Sequence, residues 1–178
     1  MRAGGARSTT GANRVVAGRT LLPPTLAGMA DDDADTFDLR DLFDVLIEQP
    51  FSERGSWQHD GVRIETSPEG HVAVLSESEE LDDDDGPSAD AAAEALEEEA
   101  AEYERQLVEW WGTPREFDAF PLVRQVPPPA LAMLLLDHGA GAALLWERDQ
   151  LAVGLATAQL SEESPIRLLA FVSSRLVA

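Results

Sequence analysis

The chain has 178 residues and a formal net charge of −21, because 34 acidic side chains face only 13 basic ones, all of them arginine. It has no cysteine, which excludes disulfide bonds and thiolate metal sites, and it has no lysine, which excludes a phosphate-binding P-loop. A surface this acidic repels phosphate groups, so we expect neither nucleic acid nor an anionic membrane as a partner. A fold that must be stable without disulfides is typical of the reducing cytoplasm, where we expect the protein to reside.

Residues 1–30 differ in composition from the rest of the chain. They contain four arginines and no acidic residue, and they show no helical or strand periodicity. This composition predicts a disordered extension. Met29 directly precedes the acidic part of the chain, which indicates an alternative translation start. Residues 31–178 are long enough for one hydrophobic core, and we expect them to form a single α+β domain.

The first predicted helix covers residues 37–49. Thr36 is a suitable N-cap, and Pro50 prevents the helix from continuing. The apolar residues inside it recur at spacings of three and four, which is the repeat of one helical face. They are Leu39, Leu42, Phe43 and Leu46.

Residues 57–76 predict a β-hairpin, because apolar and polar residues alternate on both sides of Ser67-Pro68-Glu69-Gly70. We expect the register that places all four apolar residues on one face. It pairs Glu65 with His71, Ile64 with Val72, and Val62 with Val74. Residues 77–87 then predict an acidic linker. Its four consecutive aspartates lack the alternating ligands of a calcium-binding loop, which favours a solvated loop over a metal site.

Residues 88–111 predict the longest helix, with Ser88 as its N-cap and Gly112 as the residue after its end. Its apolar face is predicted to consist of Ala92, Leu96, Ala100, Tyr103, Leu107 and Trp110. We expect the small alanines to allow close approach to a sheet. Trp110 and Trp111 are interpreted either as core anchors, which is the favoured alternative, or as a platform for a partner.

The remaining elements complete a predicted sheet of about five antiparallel strands, with three helices packed on one face. Residues 116–124 indicate a short edge strand, and residues 130–136 indicate either a buried strand or a short helix. Residues 142–146 and 151–159 predict a second hairpin. The stripe that follows Pro165 predicts a closing helix over residues 164–176.

We predict no catalytic residue, no cofactor and no metal ligand. His59, His71 and His138 are scattered and lack the spacing of known metal-binding motifs. Gly139 and Gly141 resemble the start of a dinucleotide-binding loop, but Leu144 stands where its third glycine is needed. No nucleophile elbow is present in the sequence.

Three short patterns resemble a group of small acidic actinobacterial proteins of uncharacterised function. They are Trp111-Gly112-Thr113-Pro114 closing an acidic helix, Trp146-Glu147-Arg148 before an apolar strand, and Gln159 followed by Pro165-Ile166-Arg167-Leu168-Leu169. The resemblance spans residue 39 to the C-terminus and brings no assigned activity. The order of predicted elements is also similar to that of α+β immunity proteins and secretion-chaperone-like domains, which is an analogy of architecture.

The leading hypothesis is a non-enzymatic cytoplasmic protein whose acidic surface engages a basic protein, as immunity proteins and dedicated chaperones do. The candidate contact residues are Trp57, Trp110, Trp111, Glu98 and Glu102. One alternative is a metal-assisted hydrolase that uses loop carboxylates, and another is a soluble domain with a structural or regulatory role. The acidity is equally consistent with solubility in a salty cytoplasm.

Overall fold

The structure is a computed structural model that describes residues 37–78, 86–161 and 163–174, with side chains omitted for 86–90. Several predictions lie outside these residues: the extension over 1–30, the start at Met29, the cap at Thr36 and most of the acidic linker. The domain boundaries at 31 and 178 therefore stay predictions.

Three α-helices, one 3₁₀ helix and seven strands make up the described part of the chain. The helices are α1 (Leu39–Glu48), α2 (Gly86–Trp111) and α3 (Ala130–Asp137), and the 3₁₀ turn is Phe120–Arg124. The strands are β1 (Gly55–His59), β2 (Val62–Ser67), β3 (Gly70–Glu77), β4 (Arg115–Asp118), β5 (Ala142–Arg148), β6 (Leu151–Ala158) and β7 (Arg167–Ser174). All pairings are antiparallel, in the order β1-β2-β3-β7-β6-β5-β4. The α+β class is confirmed, whereas the estimate of about five strands is too low.

The predicted closing helix over 164–176 is wrong, because residues 167–174 form β7 at the centre of the sheet. Leu168 to Val172 are all buried, in five consecutive positions. A surface helix buries one stripe, whereas a strand covered on both sides buries every residue. The third helix is instead α3, within the stretch for which the sequence left strand and helix open.

The helices cover both faces of the sheet, which corrects the expectation of one covered face. On one face α3 packs on a core that includes Val72, Leu169 and Phe171, here called the α3-side core. On the other face α1 and Leu107 of α2 pack on Ala73, Ala170 and Val172, here called the α1-side core. Neighbouring residues of β7 thus belong to opposite cores, as the alternation of a strand requires.

The predicted register of the first hairpin is wrong by one residue. In the structure Glu65 pairs with Val72 and Ile64 with Ala73, so that His71 lies opposite Thr66. The prediction assumed that the four apolar residues share a face. Because both faces of β3 are buried, Val72 belongs to the α3-side core while Ala73 belongs to the α1-side core. Alternation therefore does not fix this register.

Strand β1 was not predicted, although the sequence contains a signal for it. Asp60 and Gly61 connect β1 to β2 with φ angles of +44° and +80°. An Asp-Gly pair with left-handed conformations is typical of a tight two-residue hairpin turn. The predicted second hairpin is confirmed as β5 and β6. The predicted edge strand is confirmed only over β4, since the residues after Ala119 form the 3₁₀ turn.

Helix α1 is present, but it covers Leu39–Glu48 rather than residues 37–49 and has a different cap. The carboxylate of Asp38 accepts hydrogen bonds from the backbone N–H groups of Arg40 and Asp41 at 2.9 and 3.4 Å, so Asp38 is the N-cap. The predicted apolar face is confirmed, because Leu39, Leu42, Phe43 and Leu46 are all buried.

Helix α2 begins at Gly86, two residues before the predicted cap at Ser88, and ends at Trp111 as predicted. Its predicted apolar face is confirmed: Leu96 and Leu107 are buried, and the other members are half-buried. The indole of Trp111 packs edge-on against Phe43 and Trp146, with ring centroids 5.0 and 6.1 Å apart, respectively. The Nε1–H of Trp146 donates to the carbonyl oxygen of Gly112 at 2.7 Å. These contacts anchor the C-terminal end of α2 to α1 and β5.

Candidate functional site

The three candidate tryptophans are half-buried and pack against the α1-side core. The ring centroids of Trp110 and Trp111 are 6.4 Å apart. The guanidinium carbon of Arg40 lies 5.8 Å from the centroid of Trp110, and that of Arg148 lies 5.7 Å from the centroid of Trp111. Trp57 lies in β1 and lines a separate cavity. The geometry matches the core-anchor interpretation of the indoles. A role in partner binding stays a prediction.

The two candidate glutamates lie on the exposed side of α2. Glu102 accepts a hydrogen bond from the side chain of Gln106 at 3.0 Å and forms an ion pair with Arg105. Glu98 is exposed one turn earlier. Neither lines the groove described next.

A groove of about 740 Å³ lies between the middle of α2 and strands β4 to β7. Here it is called the α2 groove. Its apolar lining consists of Ala100, Ala101, Phe117, Ala142, Ala143, Leu144, Leu155, Ala156 and Leu168. The alanines of α2 were expected to permit close packing on the sheet. In the middle of the helix, the small side chains of Ala100 and Ala101 instead leave the groove open.

Four carboxylates line the α2 groove. Glu97 and Glu104 come from α2, where they share one stripe with Ala100 and Ala101 at spacings of three and four. Glu116 and Asp118 come from β4, two residues apart and therefore on one face of the strand. Local periodicity thus places both pairs beside the apolar lining.

The charged residues that line the α2 groove are all acidic. None of the residues that line it is basic, and among the residues the structure describes none of its four carboxylates is paired with an arginine. Asp118 accepts a hydrogen bond from the backbone N–H of Phe120 at 3.0 Å, which fixes its position. Nearby on α2, burial and the adjacent carboxylate of Glu99 raise the pKa of Tyr103 to about 12. The arrangement suits a cationic ligand that also has apolar side chains.

The structure brings together one cluster that the sequence spacing did not reveal. The Nε2 atom of His59 lies 2.8 Å from a carboxylate oxygen of Asp41 and 3.7 Å from one of Asp60. The three ligand atoms lie within 4.8 Å of one another. Asp41 belongs to α1, 18 residues before His59, so only the tertiary fold joins them. One nitrogen and two carboxylate oxygens form a donor set that suits a divalent transition-metal ion.

The other two histidines lie elsewhere. His71 is buried beside α1, and burial lowers its pKa although its bond to the carbonyl of Gln49 opposes the shift. His138 follows α3, and burial lowers its pKa as well. It shares a small cavity with the exposed ion pair Arg54–Asp137. The three histidines therefore do not converge on one centre.

Comparisons of the chain with protein-family models, with curated proteins and with solved structures found no match. The resemblance to small acidic actinobacterial proteins and the architectural analogy to immunity and chaperone-like proteins therefore stay predictions. Among the helices of the described residues, none has the length and apolar character needed to cross a bilayer.

Proposed function

We propose that this protein is a non-enzymatic, cytoplasmic binding protein that engages a basic segment of another protein in the α2 groove. The observation that carries the proposal is the pairing of an apolar lining with four carboxylates and no basic residue. Immunity-like and chaperone-like roles both require such recognition of a basic partner.

The physical basis is the amphipathic nature of arginine and lysine. Their aliphatic stems pack on apolar surface while their charged ends reach carboxylates at the rim. A partner segment with interleaved apolar side chains adds burial of apolar area to this attraction. The excess of acids after residue 30, where all 34 lie against nine arginines, steers such a segment toward the surface. The affinity for this segment is expected to fall as salt screens the charges.

The test uses a labelled helical peptide of arginine and leucine, with leucine at every third or fourth position. Replacing Glu97, Glu104 and Glu116 together with glutamine is expected to weaken binding at low salt about ten-fold, since each exposed charge pair contributes up to about 1 kcal/mol. Asp118 is left intact because of its hydrogen bond to the backbone. Affinity is measured by fluorescence anisotropy at low and at high salt.

The matched control replaces Glu98, Glu102 and Glu109 with glutamine. This variant changes the net charge equally but alters exposed positions of α2 that do not line the groove. We expect less than a two-fold effect. Equal losses in both triple variants would assign binding to the general charge of the protein, and equal binding of a peptide with serine for leucine would exclude a role for the apolar lining.

The cluster of Asp41, His59 and Asp60 supports a second candidate, metal-assisted chemistry, in which Asp60 is a loop carboxylate of the kind that the sequence hypothesis named and Asp41 belongs to α1. Because an imidazole nitrogen favours later transition metals over calcium and magnesium, we expect calorimetry to show one bound Zn²⁺ and no tight binding of Ca²⁺ or Mg²⁺. Asp41→Asn removes a charged ligand and should lower the Zn²⁺ affinity at least ten-fold, which is the loss seen when only an outer-shell partner of a ligand is removed. Asp44→Asn, an exposed acid on the same helix, should leave it unchanged. Heats no larger than dilution would remove this candidate.

A further inference from the structure

A second, smaller cavity lies beside the C-terminal end of α3. Its volume is about 310 Å³, which is at the lower end of the range of about 300–1,000 Å³ that is typical of small-molecule sites. Here it is called the Arg167 cavity. Leu134 of α3 and Leu160, which follows β6, contribute apolar lining. The charged and titratable residues that line it are Arg54, Glu65, Asp137, His138 and Arg167.

Arg167 differs from the other arginines that the structure describes, because all of those are exposed and Arg167 is half-buried. Its guanidinium donates a hydrogen bond from Nη2 to the backbone carbonyl oxygen of His138 at 3.4 Å. It forms no ion pair with any described carboxylate, although Glu77 lies opposite it on β3. A guanidinium has five N–H donors, and burial of a charge without a counter-charge is unfavourable. In a chain with 34 acidic residues and 13 arginines, this unpaired position indicates an anionic ligand group.

Contacts between the lining residues place their charged ends around one space. The bond to His138 holds the guanidinium of Arg167 at the end of α3. Arg54 forms an ion pair with Asp137 at 3.0 Å, and because both side chains are exposed, this pair lies at the open side of the cavity. Burial lowers the pKa of His138, and the carboxylate of Glu65 opposes this more strongly than that of Asp137. Both arginines lower the pKa further, so all four charges act on one imidazole.

The polar groups that would hold a ligand are accessible. The side chain of Glu65 is 33 % exposed, and Arg167 and His138 are half-buried rather than enclosed. Oε1 of Glu65 pairs with Arg63 at 2.7 Å, which leaves Oε2 as an acceptor. A molecule in the cavity can therefore reach a guanidinium, a carboxylate and an imidazole without displacing core residues.

The balance of charges restricts the chemistry of that ligand. The lining has two guanidinium groups and two carboxylates, and its imidazole is neutral at pH 7 because the pKa is lowered. A doubly charged anion such as phosphate is repelled by Glu65 and Asp137. A zwitterion matches both signs, since its carboxylate accepts from the guanidinium in a bidentate geometry and its ammonium donates to a carboxylate. A free α-amino acid has these two groups on one carbon.

We propose that the Arg167 cavity binds a free α-amino acid with an aliphatic side chain. Arg167 holds the carboxylate, Glu65 holds the ammonium, and the side chain packs against Leu134 and Leu160. The neutral imidazole of His138 adds a group that can both donate and accept a hydrogen bond. The Arg167 cavity shares no residue with the α2 groove, so the site does not depend on the function proposed for that groove.

The experiment is an NMR titration of the full chain, labelled with ¹³C in its leucine methyl groups, with unlabelled L-leucine. The methyl resonances of Leu134 and Leu160 should shift and reach saturation. L-leucinamide has the ammonium but no carboxylate, and isocaproate has the carboxylate but no ammonium. Each should bind at least ten-fold more weakly than L-leucine, because each lacks one charge-assisted contact. Inorganic phosphate should also bind more weakly than L-leucine.

Two variants separate the two charged contacts. Arg167→Gln should weaken the binding of L-leucine and of isocaproate at least ten-fold. Glu65→Gln should weaken the binding of L-leucine about ten-fold without weakening that of isocaproate, which a general loss of structure would not produce. Arg124→Gln is the matched control, because Arg124 is exposed and does not line the cavity, and it should have no effect.

Equal binding of L-leucinamide would overturn the role of Arg167, and equal binding of isocaproate would overturn the assignment of a zwitterion. Tighter binding of phosphate would assign the cavity to an inorganic anion instead of an amino acid. A response that does not saturate, or an equal loss in Arg124→Gln, would exclude the site. If Arg167→Gln did not fold, the three analogues and Glu65→Gln would still decide between these outcomes.

Discussion

Replacing Phe171 with alanine is expected to lower the free energy of unfolding by about 3–5 kcal/mol, as truncation of a buried aromatic residue does. Phe171 is fully buried in the α3-side core, on the central strand β7. Its cross-strand neighbours are Val72 and Gly154. The ring of Phe171 lies so close to Gly154 that a Cβ built at that glycine would be 2.7 Å from it. Because glycine has no side chain, this position cannot fill the space left by the truncation. Urea unfolding followed by tryptophan fluorescence measures the change.

The control for this prediction is Phe120→Ala. The substitution is the same, but Phe120 is 63 % exposed. We expect a loss of less than about 1 kcal/mol there, because little apolar area leaves water at this site. If both variants lost the same stability, β7 would not form the centre of the core.

Replacing Ala101 with tryptophan is expected to block the α2 groove and to weaken binding of the arginine–leucine peptide at least ten-fold. Ala101 lines the groove, yet its small side chain is exposed, so an indole there projects into the groove without displacing core residues. The substitution leaves all four carboxylates in place. It therefore separates the contribution of the apolar lining from that of the charges, which the glutamine variants test.

Ala95→Trp provides the matched control, because Ala95 is exposed on α2 and does not line the groove. Its peptide affinity should stay within two-fold of the unaltered protein. The unfolding free energy of both variants should change by less than about 0.5 kcal/mol, as is usual for surface substitutions. Unchanged peptide binding by the Ala101 variant would exclude the groove as the binding site.

The elements that the sequence predicts well are those with local signals. Helices α1 and α2 have apolar residues at spacings of three and four, and Gly112 adopts a φ of +84° after α2, which favours glycine. The prediction of a helix at 164–176 is wrong because a run of apolar residues that is buried on both faces also contains helical spacings. Only the pairing partners of β7, on β3 and β6, decide its conformation.

The candidate sites depend on contacts between distant segments, and the sequence does not specify these. Glu98 and Glu102 carry the same side chain as Glu97 and Glu104, and only the position of the sheet decides which pair lines the groove. Arg167 likewise meets His138 only because β7 and the end of α3 are adjacent in the fold. Such placement requires the tertiary structure.

Strand β4 forms one edge of the sheet and has only four residues, of which Arg115, Glu116 and Asp118 are exposed. In a register that pairs Glu116 with Asp118, an antiparallel pairing of this edge with the same edge of a second molecule would bring acidic side chains of both copies close together. Short, charged edge strands of this kind oppose the growth of extended sheets between molecules. Within the described part of the chain no further strand pairs with this edge beside the α2 groove. Its charges disfavour self-association in that register, while a strand of opposite charge would meet no such barrier.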